Sequence, residues 1–163
     1  MKLFLIRHTA AIEHETKTVT SDDLRFISSA GRMVARKVFG SLKKRMSGIE
    51  QIFTSPLIRA VQTAEILATM IEFNGDIELV NELRNESSIS SIVSLLEKHS
   101  ELNEIALIGH EPKMSILLST LCGSTSGIDG FSKCGVALLD YSPKIHTGIF
   151  VGYFDPKRLN VLK

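Results

Sequence analysis

Two unbroken apolar runs, Leu3–Ile6 and Ile105–Ile108, each stop on a histidine-bearing segment: Ile6-Arg7-His8-Thr9 and Ile108-Gly109-His110-Glu111-Pro112. Runs without polar interruption suit parallel strands covered on both faces, whereas a strand with one wet face alternates. With helical patterns between them, they restrict the chain to an α/β fold: a mostly parallel central sheet with helices on both faces. In such open sheets ligands bind beyond the carboxyl ends of the strands. Both histidines then meet in one crevice, and Arg7 makes it cationic.

The intervening sequence supplies the other layers. Lys2 to Arg7 reads as the first strand, and Thr9 to Arg25 as a polar loop. Ser28 or Ser29 can cap a helix running to about Lys44, with Ala30, Val34, Val38 and Leu42 on one stripe. Gln51 to Thr54 is a short strand. Ser55-Pro56 then reads as an N-cap with proline at the first helical position, and Leu57, Val61, Ala64, Leu67, Ala68 and Ile71 make the buried face. Ile77 to Val80 is a third strand, followed by a helix opened by Ser88 or Ser90 and ending near His99. Glu104 to Ile108 is the fourth strand; Pro112 to Leu121 is a helix ended by Gly123. A loop spans 123–130. Val136 to Tyr141 and Gly148 to Phe154 read as a hairpin at the sheet edge, and the last residues as a tail.

Composition narrows the partners. The 163 residues suffice for one core, so residues 1–163 read as a single domain. A net charge of +1 leaves no broad electrostatic footprint for nucleic acid or an anionic membrane. No segment approaches the roughly 18 apolar residues of a membrane span, and Leu3–Ile6 is too short for a signal peptide's apolar region. Cys122 and Cys134 read as free thiols in a reducing cytoplasm, two being too few for a disulfide framework. The expected location is cytoplasmic, without membrane association; the oligomeric state stays open.

The chemistry points to phosphoryl groups. Arginine offers a rigid, permanently charged fork of donors matched to phosphoryl oxygens. Arg7 and Arg59 suit that task, and the helix after Ser55 aims free N–H groups and its positive end at the same place. Histidine can attack phosphorus when neutral and held in one tautomer, and neighbouring arginines keep His8 unprotonated. His110 can donate a hydrogen bond to a phosphoryl oxygen. No cluster has the carboxylate-rich character of a magnesium site, and neither His99, at a helix end, nor His146, in the hairpin turn, has partners at metal-ligand spacing. His14 falls in the polar loop.

Arg7-His8-Thr9, Ser55-Pro56-Leu57-Ile58-Arg59-Ala60-Val61-Gln62-Thr63-Ala64 and Gly109-His110-Glu111-Pro112 together resemble the histidine phosphatase superfamily, which includes the phosphoglycerate mutases. The short length, the Gly-His-Glu-Pro segment and the stretch Leu24 to Gly31 resemble its small SixA-type phosphohistidine phosphatases. The likeness spans residues 1 to about 140. It implies a phosphoglycerate-mutase-like fold without a cap domain. It implies that His8 becomes a phosphohistidine, that Arg7 and Arg59 clamp the phosphoryl group, that His110 completes the pocket, and that no metal or organic cofactor is used. The substrate would be a phosphorylated protein, such as a phosphotransfer domain, or a small phosphorylated molecule. Ser55 and Thr9 join the candidate binding residues.

Two departures from the family pattern stand out. Thr9 replaces the usual glycine after the histidine, so its hydroxyl could bind phosphate or its bulk could narrow the pocket. Ester-cleaving relatives place a glutamate proton donor directly after a Leu-Arg pair; here Asn85 follows Leu83-Arg84, and Glu86 comes one residue late. An alkoxide leaving group needs such a donor more than the labile P–N bond of phosphohistidine does. The alternatives are a general phosphomonoesterase using Glu86 as acid, or a non-catalytic phosphate or phosphoprotein binding module. The interval between Val80 and Glu104 holds one helix, leaving the site open.

Overall fold

The first apolar run becomes β1 (Lys2–Arg7), an interior strand of a seven-stranded sheet. The computed structural model describes residues 1–13, 19–123, 128, 130–157 and 161–162. On one side β1 pairs in parallel with β4 (Glu104–Gly109), from Lys2 opposite Glu104 to Arg7 opposite Gly109. β2 (Gln51–Thr54) lies parallel on the far side of β4, and β3 (Ile77–Leu79) parallel to β2. On the other side β5 (Val136–Ser142), β6 (Thr147–Phe154) and β7 (Val161–Leu162) follow, each antiparallel to its predecessor.

Why the middle of β1, Leu3 to Ile6, is apolar without interruption follows from the layers. Phe4 and Ile6 pack with α1 (Ser29–Met46) and α2 (Ile58–Ile71). Leu3 and Leu5 pack on the opposite face with α3 (Ile89–Lys98) and α4 (Lys113–Cys122). Alternate side chains therefore enter two different cores, and neither set can be polar. Ser28 and Ser88 cap α1 and α3 through their hydroxyls, and α4 ends at Gly123 in the left-handed conformation, as expected. Only a short turn and α3 lie between β3 and β4, so no capping domain covers the strand ends. No helix among the described residues is long and apolar enough to cross a membrane.

Several local expectations are corrected. α1 buries Gly31, Ala35, Val38, Phe39, Leu42 and Met46, whereas Ala30 and Val34 face outward. A row of residues four apart advances about 40° around a helix at each step, so Ala30 and Val34 drift off the face that Val38 and Leu42 share. α2 starts at Ile58 with Leu57 as N-cap, two residues later than the Ser-Pro pair suggests. Its buried face includes Arg59, Ala60, Thr63 and Ile66, while Val61 and Ala68 are half-buried. The polar stretch after β1 contains a 3-10 turn (Asp22–Leu24) and a bridge between Ala11 and Ile27. The hairpin is not the edge, because β7 pairs with β6 where a tail was expected. Both cysteines are free thiols. His14 lies outside the described residues.

α1 approaches the exit of β1 very closely. A Cβ added at Gly31 would sit 2.2 Å from the Ala10 carbonyl oxygen, a backbone atom that cannot swing away. Thr9 Oγ1 donates to the Gly31 carbonyl at 2.8 Å in the same contact. Gly31→Ala is expected to destabilise the protein by about 1–3 kcal/mol, the usual cost of overpacking. Urea unfolding of the purified variant measures it; an unchanged midpoint would mean that the helix entry shifts freely.

Candidate active site

The register of three parallel strands assembles the site. Arg7 lies opposite Gly109, so His8 and His110 leave adjacent strand ends side by side. Thr54 lies opposite Ile108, so Ser55 leaves on the far side of His110. The backbone extends this order past the strands: His8 N–H donates to the Gly109 carbonyl at 3.0 Å, and Ser55 N–H to the Ile108 carbonyl at 3.0 Å. The two imidazole centroids are 5.0 Å apart, with a 56° angle between the rings.

His8 is held in one tautomer. Its Nδ1 lies 2.7 Å from the Thr9 carbonyl oxygen, an acceptor that requires the proton on Nδ1. Nε2 is then a bare lone pair, and Arg59 Nε donates to it at 3.3 Å. Burial, then the neighbouring His110, Arg59 and Arg7, lower the His8 pKa to about 3, against the carbonyl of Thr9. Burial, then Arg59, lower His110 to about 4. Both rings are therefore neutral at physiological pH.

In the unfolded chain these rings have ordinary values near 6.5. Between that value and the folded values of about 3 and 4, the unfolded state binds protons that the folded state refuses. Stability therefore falls as pH drops below about 6.5, by up to roughly 1.4 kcal/mol per pH unit for each ring. Thermal unfolding from pH 7 to 4 is expected to follow that slope, and His110→Asn to flatten it. Parallel slopes in the two proteins would assign the acid sensitivity to other groups.

His110 is oriented by Ser55. Its Nε2 lies 2.8 Å from Ser55 Oγ, and that oxygen also accepts the Leu57 N–H at 3.4 Å. With the Ser55 hydroxyl donating to Nε2, the single ring proton of His110 sits on Nδ1. That Nδ1 is buried and has no partner among the described residues; the same holds for Arg7 Nε. Buried donors normally find acceptors. Two such donors on residues flanking His8 and Gly109 can serve oxyanion oxygens.

Arg7 is anchored by Nη1 donating to the Phe131 carbonyl at 2.6 Å. Arg59, the second residue of α2, is buried rather than solvated, and its fork is engaged. Nη1 and Nη2 donate to the carbonyl oxygen and Oδ2 of Asp22, each at 2.7 Å. An open cleft of about 760 Å³ adjoins the Arg7 side, lined by Thr9, Ala10, Val34, Phe131 and Lys133 among others.

Two candidates occupy other positions. Thr9 is fully buried, and its hydroxyl is committed to the Gly31 carbonyl, which ties α1 to the segment after His8. Glu86 is an exposed residue paired with Arg84 at 3.4 Å. A hydrogen bond from its own backbone, with Arg84 assisting, holds its carboxyl below the ordinary range. A general acid at neutral pH needs the opposite shift. Among the described residues no three His, Cys, Asp or Glu side chains cluster as metal ligands.

Three contributors were not singled out from sequence. Thr63 Oγ1 accepts the Thr9 N–H at 3.2 Å and donates to the Arg59 carbonyl at 2.7 Å. Gln62 accepts the Ile27 N–H at 2.8 Å. Their spacing from Arg59, three and four residues on, places them on its side of the helix and was the available signal. Asp22 had none beyond an acidic pair in a polar loop.

These features agree with comparisons across known proteins. The family model for the histidine phosphatase superfamily (branch 1) matches residues 3–88, more than half of the chain. The chain belongs to the histidine phosphatase superfamily. It is 26% identical over 167 aligned residues to phosphohistidine phosphatase SixA of Escherichia coli K12, covering 100% of this chain and 99% of that one. The structure of SixA complexed with tungstate superposes with a TM-score of 0.86 at 24% identity, covering 98% of this chain and 100% of that chain. A SixA-type protein of Agrobacterium tumefaciens gives 0.80 at 22% identity, covering 95% and 98%. A mycobacterial glucosyl-3-phosphoglycerate phosphatase gives 0.68 at 14%, covering 92% and 95%. The fold is thus phosphoglycerate-mutase-like, of the small SixA type, and the chain is a phosphatase-type hydrolase.

Proposed function

We propose that the protein removes phosphate from phosphohistidine carried on a protein partner, through a phosphohistidine formed at His8. The observation that carries this reading is the fixed His8 tautomer: Nδ1 bound to the Thr9 carbonyl, Nε2 unprotonated and accepting from Arg59. In the first step a P–Nε2 bond forms as the substrate's P–N bond breaks, and the departing imidazole takes its proton from water. Arg7 and His110 Nδ1 supply donors to the phosphoryl oxygens as charge shifts among them. In the second step water attacks phosphorus and the P–Nε2 bond breaks, the water's proton passing to the hydroxide left by the first step. His8 recovers its lone pair, and inorganic phosphate leaves.

Substrate chemistry follows from what the site lacks. Among the described residues the acid candidate, Glu86, is exposed and ionised, so it does not supply a proton to the leaving group. Imidazole leaves without strong acid assistance; an alkoxide does not. The open strand ends suit a phosphate presented on a folded partner.

The test compares kcat/KM for a phosphorylated phosphotransfer domain, with phosphoimidazole as minimal surrogate, against p-nitrophenyl phosphate. A preference for the P–N substrates of roughly 10²-fold or more, the usual weight of acid catalysis, is expected. Glu86→Gln is expected to change neither rate. Equal or faster ester turnover that falls in Glu86→Gln would make the protein a phosphomonoesterase. Silence toward every donor would leave a binding module.

A further inference from the structure

The 3-10 turn Asp22–Leu24 carries a carboxylate into the phosphoryl clamp. Asp22 accepts both fork nitrogens of Arg59, through its carbonyl oxygen and Oδ2, each at 2.7 Å. Its other carboxylate oxygen, Oδ1, accepts Arg25 Nη1 at 2.9 Å. The next residue, Asp23, pairs with Arg84 at 3.5 Å, from the loop after β3. A turn from one side of the mouth is thus latched to arginines on two other elements. The Arg59 side chain is 8% exposed and that of Asp22 42% exposed, so the carboxylate is the partner that can swing into water.

We infer that Asp22 is a specificity-determining residue, whose carboxylate competes for the Arg59 fork so that only a phosphoryl dianion displaces it. This rests on the reading that a phosphoryl group binds at His8. A carboxylate ligand would exchange one single charge for another on Arg59 and gain nothing. A phosphoryl dianion brings twice the charge and three oxygens. It can take Arg59 Nη2, Arg7 Nε and His110 Nδ1 together, and the last two have no partner among the described residues. The displaced Asp22 keeps Arg25 as its ion-pair partner.

The experiment is calorimetric titration of wild type, Asp22→Asn and Asp23→Asn with orthophosphate and with acetate, each protein checked for folding by thermal unfolding. Asp23→Asn removes the same charge one residue away but leaves both Arg59 contacts in place, so it controls for charge alone. The expected result is phosphate binding roughly tenfold tighter in Asp22→Asn than in Asp23→Asn, the scale of a hydrogen bond to a charged group. Acetate binding should become measurable only in Asp22→Asn. Equal phosphate affinity in the two variants overturns the inference and leaves the phosphoryl site standing. Weaker binding in Asp22→Asn also overturns it and makes Asp22 a residue that merely positions Arg59. Absence of phosphate binding in all three proteins removes the site reading and the inference together. Should Asp22→Asn fold poorly, Asp22→Ala gives the same comparison.

Discussion

His8→Ala is expected to reduce turnover of a phosphohistidine donor to background, a loss on the order of 10⁴–10⁶-fold. Among the described residues, neither His110 nor Cys134 can take over the attack. The His110 Nε2 is spent on Ser55, and with that hydroxyl donating, its Nδ1 carries the ring proton. Cys134 is buried, and burial pushes its thiol up to about 12, far from a thiolate. The fold should survive, because the ring makes only two hydrogen bonds, one to the carbonyl of the following residue and one from Arg59. Single-turnover assays with 31P detection separate the outcomes. A phosphoenzyme signal at the shift of phosphohistidine should appear in wild type and vanish in the variant. Residual turnover within tenfold of wild type would remove His8 as nucleophile.

Arg59→Lys carries the second largest expected effect, a fall in kcat of about 10²–10³-fold, the range for losing one positioned donor to developing charge. The substitution keeps a positive charge and so separates charge from geometry. Lysine has no Nε–H beside the His8 lone pair and no planar fork to grip two oxygens. The Asp22 carboxylate would retain Arg25, so the loop should stay folded. Arg59→Ala should fall further, and its phosphate binding should weaken as well. Wild-type kcat in Arg59→Lys would mean that charge alone suffices, and that the Arg59–His8 contact is incidental.

Much of this was legible in the chain. Apolar runs at Leu3–Ile6 and Ile105–Ile108 were read as buried parallel strands because their residues serve two cores at once, which leaves no room for polar alternation. The residues that follow such strands were located by the same logic. Side-chain commitments were not legible. The Thr9 hydroxyl could have faced the ligand; only the close approach of Gly31 turns it away. Asp22 lies 37 positions from Arg59, and a contact across that span leaves no periodic signal. The buried face of α1 departs from the four-residue row because such a row drifts in angle over several turns.

Main-chain hydrogen bonding, rather than side-chain packing, sets the gap between the two histidines. With Arg7 fixed opposite Gly109, the spacing of His8 and His110 behaves as a ruler cut into the sheet. Substitutions among the apolar neighbours alter how firmly the ruler is held, but not its markings. Sequence drift in the core and retention of chemistry are thereby uncoupled, which suits a chain sharing 26% of its residues with a full-length relative. Insertions or deletions within β1 or β4 enjoy no such freedom. A one-residue slip would send every side chain beyond it to the opposite face.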